Sequence, residues 1–499
     1  MFEKNVIQPF LDVVEKHGNN NAFCIAGRFY TFIEFAKNIS KIRKALRSSN
    51  AKTKNVGLVA NDDIETYASI FAFWLEGYAY VPLHPQQPVE RSLEIILQAH
   101  IDLVFNSYDH ILLSDIQTIN SAQLEFDELL LQPEPTPDTA LAYILFTSGS
   151  TGKPKGVPII RHNLAAFIKS FLEVGFKIDQ SDRCLQCFDL TFDVSVQSFL
   201  IPLLKGACTY TVPHDRIKYS YVYGLLEDHQ LTMGAMAPSM IRYLRPYFEE
   251  INIPSMRYNI LTAEASPVDL VTEWSNCIPN AEIFDFYGPT EATIYCTYYK
   301  FNRKGVVKHL NGMMAIGKPM QGLKAIIIDQ EGYILENNRV GQLCISGDQL
   351  TPGYWNNPQK TEEAFFEREY EETVHRFYKT GDSCFIDNEG DIMYSGRLDS
   401  QVKIQGYRIE LGEIEYHARE CLHGHNAVAI PFENHAGNTE IALYVENEFT
   451  DTDFLYGYLK SKIPSYMIPT RILCTEKLPL NTNGKIDRNA LKKNLEIEI

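Results

Sequence analysis

The apolar and polar positions divide the chain into short alternating elements. Residues 32–46 (FIEFAKNISKIRKAL) carry apolar side chains at helical spacing. Residues 55–60 (NVGLVA) and 79–83 (AYVPL) are short continuous apolar runs, the pattern of strands buried on both faces. The alternation resumes over 157–300 and predicts parallel α/β layers. Between these stretches, QPEPTPDTA (132–140) is proline-rich and polar and reads as a surface connection. It leads into YILFTSGSTGKPKGVPI (143–159), a strand that runs into a glycine-rich loop. From about 310 to 395 the pattern shortens to brief strands, with DQEGY and DNEGD as turn signals, and predicts a smaller β-rich subdomain. The last hundred residues differ again. QVKIQGYRIELGEIE (401–415) begins as a short strand and turn and then opens a helix; VAIPF and IALYVE follow as strands, and another helix comes before LPLNTNGKIDRNAL. The fold class expected is therefore α/β plus α+β. A large domain of layered α/β subdomains with a β-rich subdomain covers 1–398, and a small α+β domain covers 399–499.

Composition narrows the function classes. The 499 residues carry a formal net charge of -17, which disfavours non-specific binding to nucleic acid or to an anionic membrane. No apolar run approaches the ~20 residues of a membrane helix. The start, MFEKNVIQPFLDVVEKHG, mixes charges into a helical pattern and lacks the apolar centre of a signal peptide. A cytoplasmic location is expected. Ten cysteines are scattered; Cys184 and Cys187 alone form a C-x-x-C pair, with no second pair to complete a zinc site. They read as reduced core thiols.

The chemistry is concentrated in residues 147–156. Thr147, Ser148, Gly149, Ser150, Thr151, Gly152, Lys153, Pro154, Lys155 and Gly156 combine four hydroxyls, three glycines and two lysines. Glycines let the backbone turn its N–H groups toward an anion, hydroxyls add neutral donors, and lysines add charge. The alternative is a flexible surface turn. A Walker A loop is excluded, because Pro154 follows the lysine where Ser or Thr is required.

This loop resembles the signature of the adenylate-forming superfamily, which includes acyl-CoA synthetases, firefly-type luciferases and the adenylation domains of nonribosomal peptide synthetases. Further matches follow in the family's order: FDLTFD (188–193), YGPTE (287–291), GYW (353–355), YKTGD (378–382), GRLDSQVKIQGYRIELGEIE (396–415) and LPLNTNGKIDR (478–488). They span nearly the whole chain, and the amino-acid-activating subgroup is the most similar.

The resemblance implies ATP and Mg²⁺ as cofactors and assigns roles to matched positions. Residues 147–153 and Lys155 would hold phosphates. Glu291 would help hold Mg²⁺, Tyr287 would stack on adenine, and Asp285 would accept from the adenine amino group. Gly288 and Thr290 complete that motif. Asp382 would accept from both ribose hydroxyls, and Arg397 would lie near the ribose or phosphates. Lys485 matches the catalytic lysine, and Asp399 matches the hinge on which a mobile C-terminal domain turns between two half-reactions. In isolation these residues read otherwise: Glu291 as a helix cap, Tyr287 as core, Thr-Gly-Asp as a turn, and Lys485 as solvated surface. Asp193 matches the aspartate that pairs with a substrate α-ammonium; its plainer role is an N-cap for the helix that follows. Val194, Gln197, Met236, Leu261, Ala263, Phe286, Ile294 and Tyr295 would line the side-chain pocket. Asp193 is its one charged member, and Phe286 and Tyr295 are bulky. A compact apolar amino acid such as proline or alanine is expected, although Phe286 departs from proline-activating pockets. Pro352 and Ala263-Glu264-Ala265 also depart from the family pattern. The expected function is a stand-alone amino acid ligase that forms aminoacyl-AMP and transfers it to a separate phosphopantetheine carrier protein. The rivals are an acyl- or aryl-CoA synthetase and a catalytically silent nucleotide-binding protein.

Overall fold

The computed structural model describes residues 1–108, 116–149, 152–447, 451–480 and 486–498. The chain forms two compact units. The first comprises Met1–Pro85, Ile96–Leu145 and Gly156–Leu398; the second comprises Gln86–Ile95, Phe146–Lys155 and Asp399–Ile499.

Two large sheets dominate the first unit. In the nine-stranded sheet, Glu282–Tyr287, Tyr258–Leu261, Met233–Met236, Arg183–Gln186, Cys208–Thr211 and Asn21–Ile25 lie side by side in that order and run parallel. The six-stranded sheet is built around Asn55–Val59 and Ala79–Leu83, both of which read from sequence as buried strands and are buried throughout. Helices such as Phe32–Ser48, Ile64–Leu75 and Asp193–Lys205 pack between and over the layers. The first begins at a capping box, in which the Thr31 hydroxyl accepts from the Glu34 N–H and the Glu34 carboxylate accepts from the Thr31 N–H. Helix Ile64–Leu75 is apolar on nearly every face because it is buried at every position but Glu65. Trp74 fills the centre and donates from its indole to the Ala142 carbonyl at 2.9 Å.

The third sheet is antiparallel. Its five strands are Leu323–Ile328, Gly341–Gly347, Phe365–Tyr370, Thr373–Ile386 and Ile392–Arg397, the β-rich segment expected from the turn spacing. Cys184 and Cys187 are buried thiols whose ionisation is pushed up by burial, to about 12 for Cys187, in keeping with core residues.

The second unit contains a hairpin (Gln401–Ile404 and Tyr407–Glu410), the helix Leu411–Cys421 and a three-stranded sheet of Ala427–Glu433, Thr439–Val445 and Arg471–Cys474. Helix Leu411–Cys421 buries Leu411, Ile414 and Ala418 on this sheet, the i, i+3, i+7 spacing of one helical face. The layered α/β and α+β class expected from sequence is the class observed. No described helix is long and apolar enough to cross a membrane.

Candidate active site

In open α/β sheets, the C-terminal ends of parallel strands are where binding residues collect. Met236, Leu261 and Asp285 lie abreast at those ends in the nine-stranded sheet: Met236 is in register with Leu261, and Leu261 with Asp285. All three are buried. Strand alternation places Asp285 and Tyr287 on one face of their strand, and Phe284 and Phe286 on the other.

Tyr287 is buried, and its hydroxyl donates to the Asp382 carboxylate, 95 residues along the chain. Asp382 also accepts from Arg397 Nη1 at 2.9 Å, a pair that follows from the strand register opposing Asp382 to Arg397. Arg397 Nη1 lies 2.9 Å from the Thr380 carbonyl as well. Burial, and then the neighbouring Asp382 charge, push the Tyr287 phenol far above its ordinary range, so it acts as a neutral donor.

Glu291 is fully buried in the short turn Thr290–Ala292 and accepts from the Tyr354 hydroxyl at 2.8 Å; Tyr354 in turn lies 3.5 Å from the Tyr378 hydroxyl. Three motifs distant in sequence, YGPTE, GYW and YKTGD, thus meet through these groups. The motifs were legible in the sequence, but the roles of Tyr354 and Tyr378 were not. Gly288 is required by close backbone approach: a Cβ there would stand 2.3 Å from the Ile294 carbonyl oxygen.

Asp193 is the first residue of helix Asp193–Lys205. Phe192 occupies the N-cap position, so the plain capping role suggested by sequence falls one residue away. Asp193 is buried close enough to Tyr80, Tyr143 and Tyr295 for its charge to add to burial in pushing those three phenols up. Tyr295 lies 3.5 Å from the Gln197 amide oxygen, one helical turn beyond Asp193, and packs at a tilt against Phe286 with ring centroids 4.9 Å apart. Asp193, Gln197, Phe286 and Tyr295 are therefore brought together. Val194 and Ile294 are also buried, while Ala263 is partly open. Ala263, Thr293 and Ile294 have φ of 70°, 55° and 73°. Left-handed backbone costs a β-branched residue ~1–3 kcal/mol and collects at binding sites. At the two departures from the family pattern, the Pro352 carbonyl accepts from Arg376 Nη2 at 2.8 Å, and Glu264 accepts from the Ser239 N–H at 2.9 Å.

The glycine-rich loop belongs to the second unit. Strand Leu141–Thr147 enters it and Lys155–Ile160 leaves it. Gly152 has φ +81° and donates its N–H to the Gly149 carbonyl at 3.1 Å. The Ser148 hydroxyl donates to the Arg408 carbonyl at 2.9 Å and accepts from the Glu410 N–H at 3.1 Å. The Gly149 N–H donates to Glu413 Oε2 at 3.1 Å. Glu413 is fully buried and pairs with Arg91. Burial pushes its carboxyl up, while Arg91 and the Gly149 N–H pull it back. Lys153 and Lys155 lie in the described part of the loop; Ser150, Thr151 and Lys485 lie outside the described residues. Leu480 and Ile486 form an antiparallel bridge on either side of 481–485, and Arg488 Nη2 holds Glu415 at 2.7 Å. Asp399 accepts from the Gln401 N–H at 3.1 Å and is the first residue of the second unit's C-terminal portion.

The buried Asp285 near the end of its parallel strand and the convergence of YGPTE, GYW and YKTGD are features of an adenylate-forming enzyme. The chain belongs to the AMP-binding enzyme family, whose model matches residues 10–355. Within that superfamily it stands close to amino acid adenylation domains. Tyrocidine synthase 1 of Brevibacillus parabrevis is 31% identical over 98% of this chain and 45% of its own length. The chain spans less than half the length of the curated relatives it matches first. The adenylation domain AlmE of Vibrio cholerae, solved with glycyl-adenosine-5'-phosphate, superposes with a TM-score of 0.86 at 25% identity, over 98% of this chain and 97% of that one. The o-succinylbenzoate CoA synthetase of Bacillus subtilis shares the fold, with a TM-score of 0.81 at 21% identity, over 97% and 98% of the two chains.

Proposed function

We propose that this enzyme activates an amino acid with ATP, releasing pyrophosphate and forming aminoacyl-AMP, and passes the acyl group to the phosphopantetheine thiol of a separate carrier protein in the cytoplasm. The observation that carries the amino-acid reading is Asp193: a buried carboxylate near Gln197 and Tyr295, in the first turn of helix Asp193–Lys205. A buried carboxylate is stable when it meets a cation, and a substrate α-ammonium supplies one. The bulk of Phe286 and Tyr295 favours a compact apolar side chain, proline or alanine among them. The likeness to AlmE supports this reading, since that protein is an adenylation domain by name and was solved with glycyl-adenosine-5'-phosphate.

The chain's own residues divide the work. Asp382, positioned by Tyr287 and Arg397, receives the ribose hydroxyls. Tyr287 presents its ring to adenine, with Asp285 on the same strand face. Gly288 and Thr290 shape the turn between them and Glu291. The loop N–H groups and hydroxyls of 147–153, with Lys153 and Lys155, receive phosphate oxygens. Lys485 stabilises the charge that builds as the carboxylate attacks the α-phosphate. Mg²⁺ takes hard oxygen donors, and Glu291, a buried carboxylate with a hydroxyl neighbour, fits that donor class; the ion would neutralise charge on the departing pyrophosphate. Asp399 serves as the joint on which the C-terminal domain turns between the two half-reactions.

ATP–pyrophosphate exchange over a panel of amino acids, each paired with its acid lacking the amino group, tests the reading. Exchange with one or a few compact apolar amino acids and not with their des-amino partners is the expected result. Exchange with the des-amino acids instead makes the enzyme an acyl- or aryl-CoA synthetase.

A further inference from the structure

Three side chains outside the site described above come together in the first unit. His84 follows strand Ala79–Leu83, Asp189 lies in FDLTFD, and His214 follows strand Cys208–Thr211. One ligand atom from each lies within 4.8 Å of the other two. Asp189 is 9% exposed and the two imidazoles are part-buried; their rings stand edge to face at 5.3 Å.

The hydrogen bonding sets the tautomer of one ring. His214 Nε2 is 3.0 Å from the Ala60 carbonyl oxygen, which accepts only, so Nε2 carries a proton. In the neutral ring Nδ1 then turns a lone pair toward Asp189 Oδ1, 3.6 Å away. That is longer than a hydrogen bond of ~2.7–3.2 Å. It is close to the ~3.4 Å edge of a tetrahedron built on ~2.1 Å metal bonds. A metal-bound imidazole characteristically donates its other N–H to a carbonyl or carboxylate, and His214 does so to Ala60.

We propose that His84, Asp189 and His214 form a binding site for a divalent transition-metal cation of the Zn²⁺ class, with a fourth position left open. Two imidazoles and one carboxylate suit Zn²⁺ and Co²⁺ better than Mg²⁺, which prefers oxygen alone. The bound ion would tie the end of strand Ala79–Leu83 to FDLTFD, four residues before Asp193. Lys218 competes for the same carboxylate: its Nζ lies 3.5 Å from Asp189 Oδ1 on a side chain that is 38% exposed. It can swing into solvent when a metal arrives, so removing its charge should tighten binding. An adventitious surface imidazole site would not respond to Lys218 in this way.

The full chain, stripped with chelator, would be titrated with Co²⁺ and followed by its visible d–d absorption. One ion per chain, without near-ultraviolet thiolate absorption, is expected. His84→Ala and His214→Ala should each weaken binding by at least ~10-fold, since loss of even an outer-shell partner commonly costs 10–100-fold. Lys218→Met should tighten it. Circular dichroism establishes that each variant is folded, and Lys218→Met, at a partly exposed position, keeps the test decisive if a histidine variant does not fold. Thiolate absorption, binding undiminished in folded His84→Ala, or binding unchanged in Lys218→Met would overturn the site.

Discussion

Asp193→Asn separates a substrate-binding carboxylate from a merely structural one. The side chain changes by one atom and loses its charge. If Asp193 serves the fold only, its worth is that of an acid in the first turn of helix Asp193–Lys205. Such an acid contributes ~0.3–1 kcal/mol through the helix dipole. The variant would then melt slightly lower, and exchange would be unaffected once saturated with ATP. If Asp193 meets an α-ammonium, the arithmetic differs. The carboxylate is 8% exposed among three buried phenols, so its pairing is weakly screened. Removing one partner of such a pair costs ~3–5 kcal/mol. At 1.4 kcal/mol per decade, kcat/KM for the amino acid should fall at least ~100-fold in ATP–pyrophosphate exchange. The des-amino acid brings no cation and should be used no worse, or slightly better. The ratio of the two kcat/KM values therefore carries the answer and cancels any general damage to the enzyme. A ratio unchanged from wild type, with both substrates slowed alike, would refute the role assigned to Asp193.

Three further outcomes follow from other parts of the structure. Lys485→Ala should lower the exchange rate by ~10²–10³ while leaving ATP affinity nearly intact, since one preorganised charged donor is worth that much; near-normal exchange would remove Lys485 from the mechanism. Arg91→Ala removes the cation paired with the fully buried Glu413, which keeps the Gly149 N–H, so urea unfolding should show a loss of ~3–5 kcal/mol, much of it restored in Arg91→Ala/Glu413→Gln. Burial pushes the Asp62 carboxyl from 3.8 up to about 8, against the hydrogen bond from Tyr67. A raised value in the folded state stabilises below the unfolded pKa and is lost as pH rises toward 8. Asp62→Asn should therefore gain about 3 kcal/mol relative to wild type between pH ~5 and pH ~8, measured by denaturant titration at both; an equal difference at the two pH values would mean that Asp62 does not titrate there. Its φ of 57° suits Asn as well as Asp, so the backbone is not a confounder.

What was legible in the sequence was local, and what was not was long-range. The strands at 55–60 and 79–83 announce themselves because burial on both faces demands unbroken apolar runs, and the glycine-rich loop does so because an anion demands small residues and donors. No local pattern shows that Tyr287 donates to Asp382 across 95 residues, or that Glu413 lies 264 residues beyond the Gly149 N–H it receives. Each of these contacts depends on sheet order and on where a strand ends, and those are properties of the assembled layers. The capping alternative for Asp193 shows the same limit at short range. A cap and a first-turn position differ by one residue, and the sequence could not resolve them; the first-turn position is buried near Tyr80, Tyr143 and Tyr295. A carboxylate in that setting is weakly screened, so a cation brought by a substrate would be held strongly. That is the physical reason to look for a cationic substrate group at Asp193.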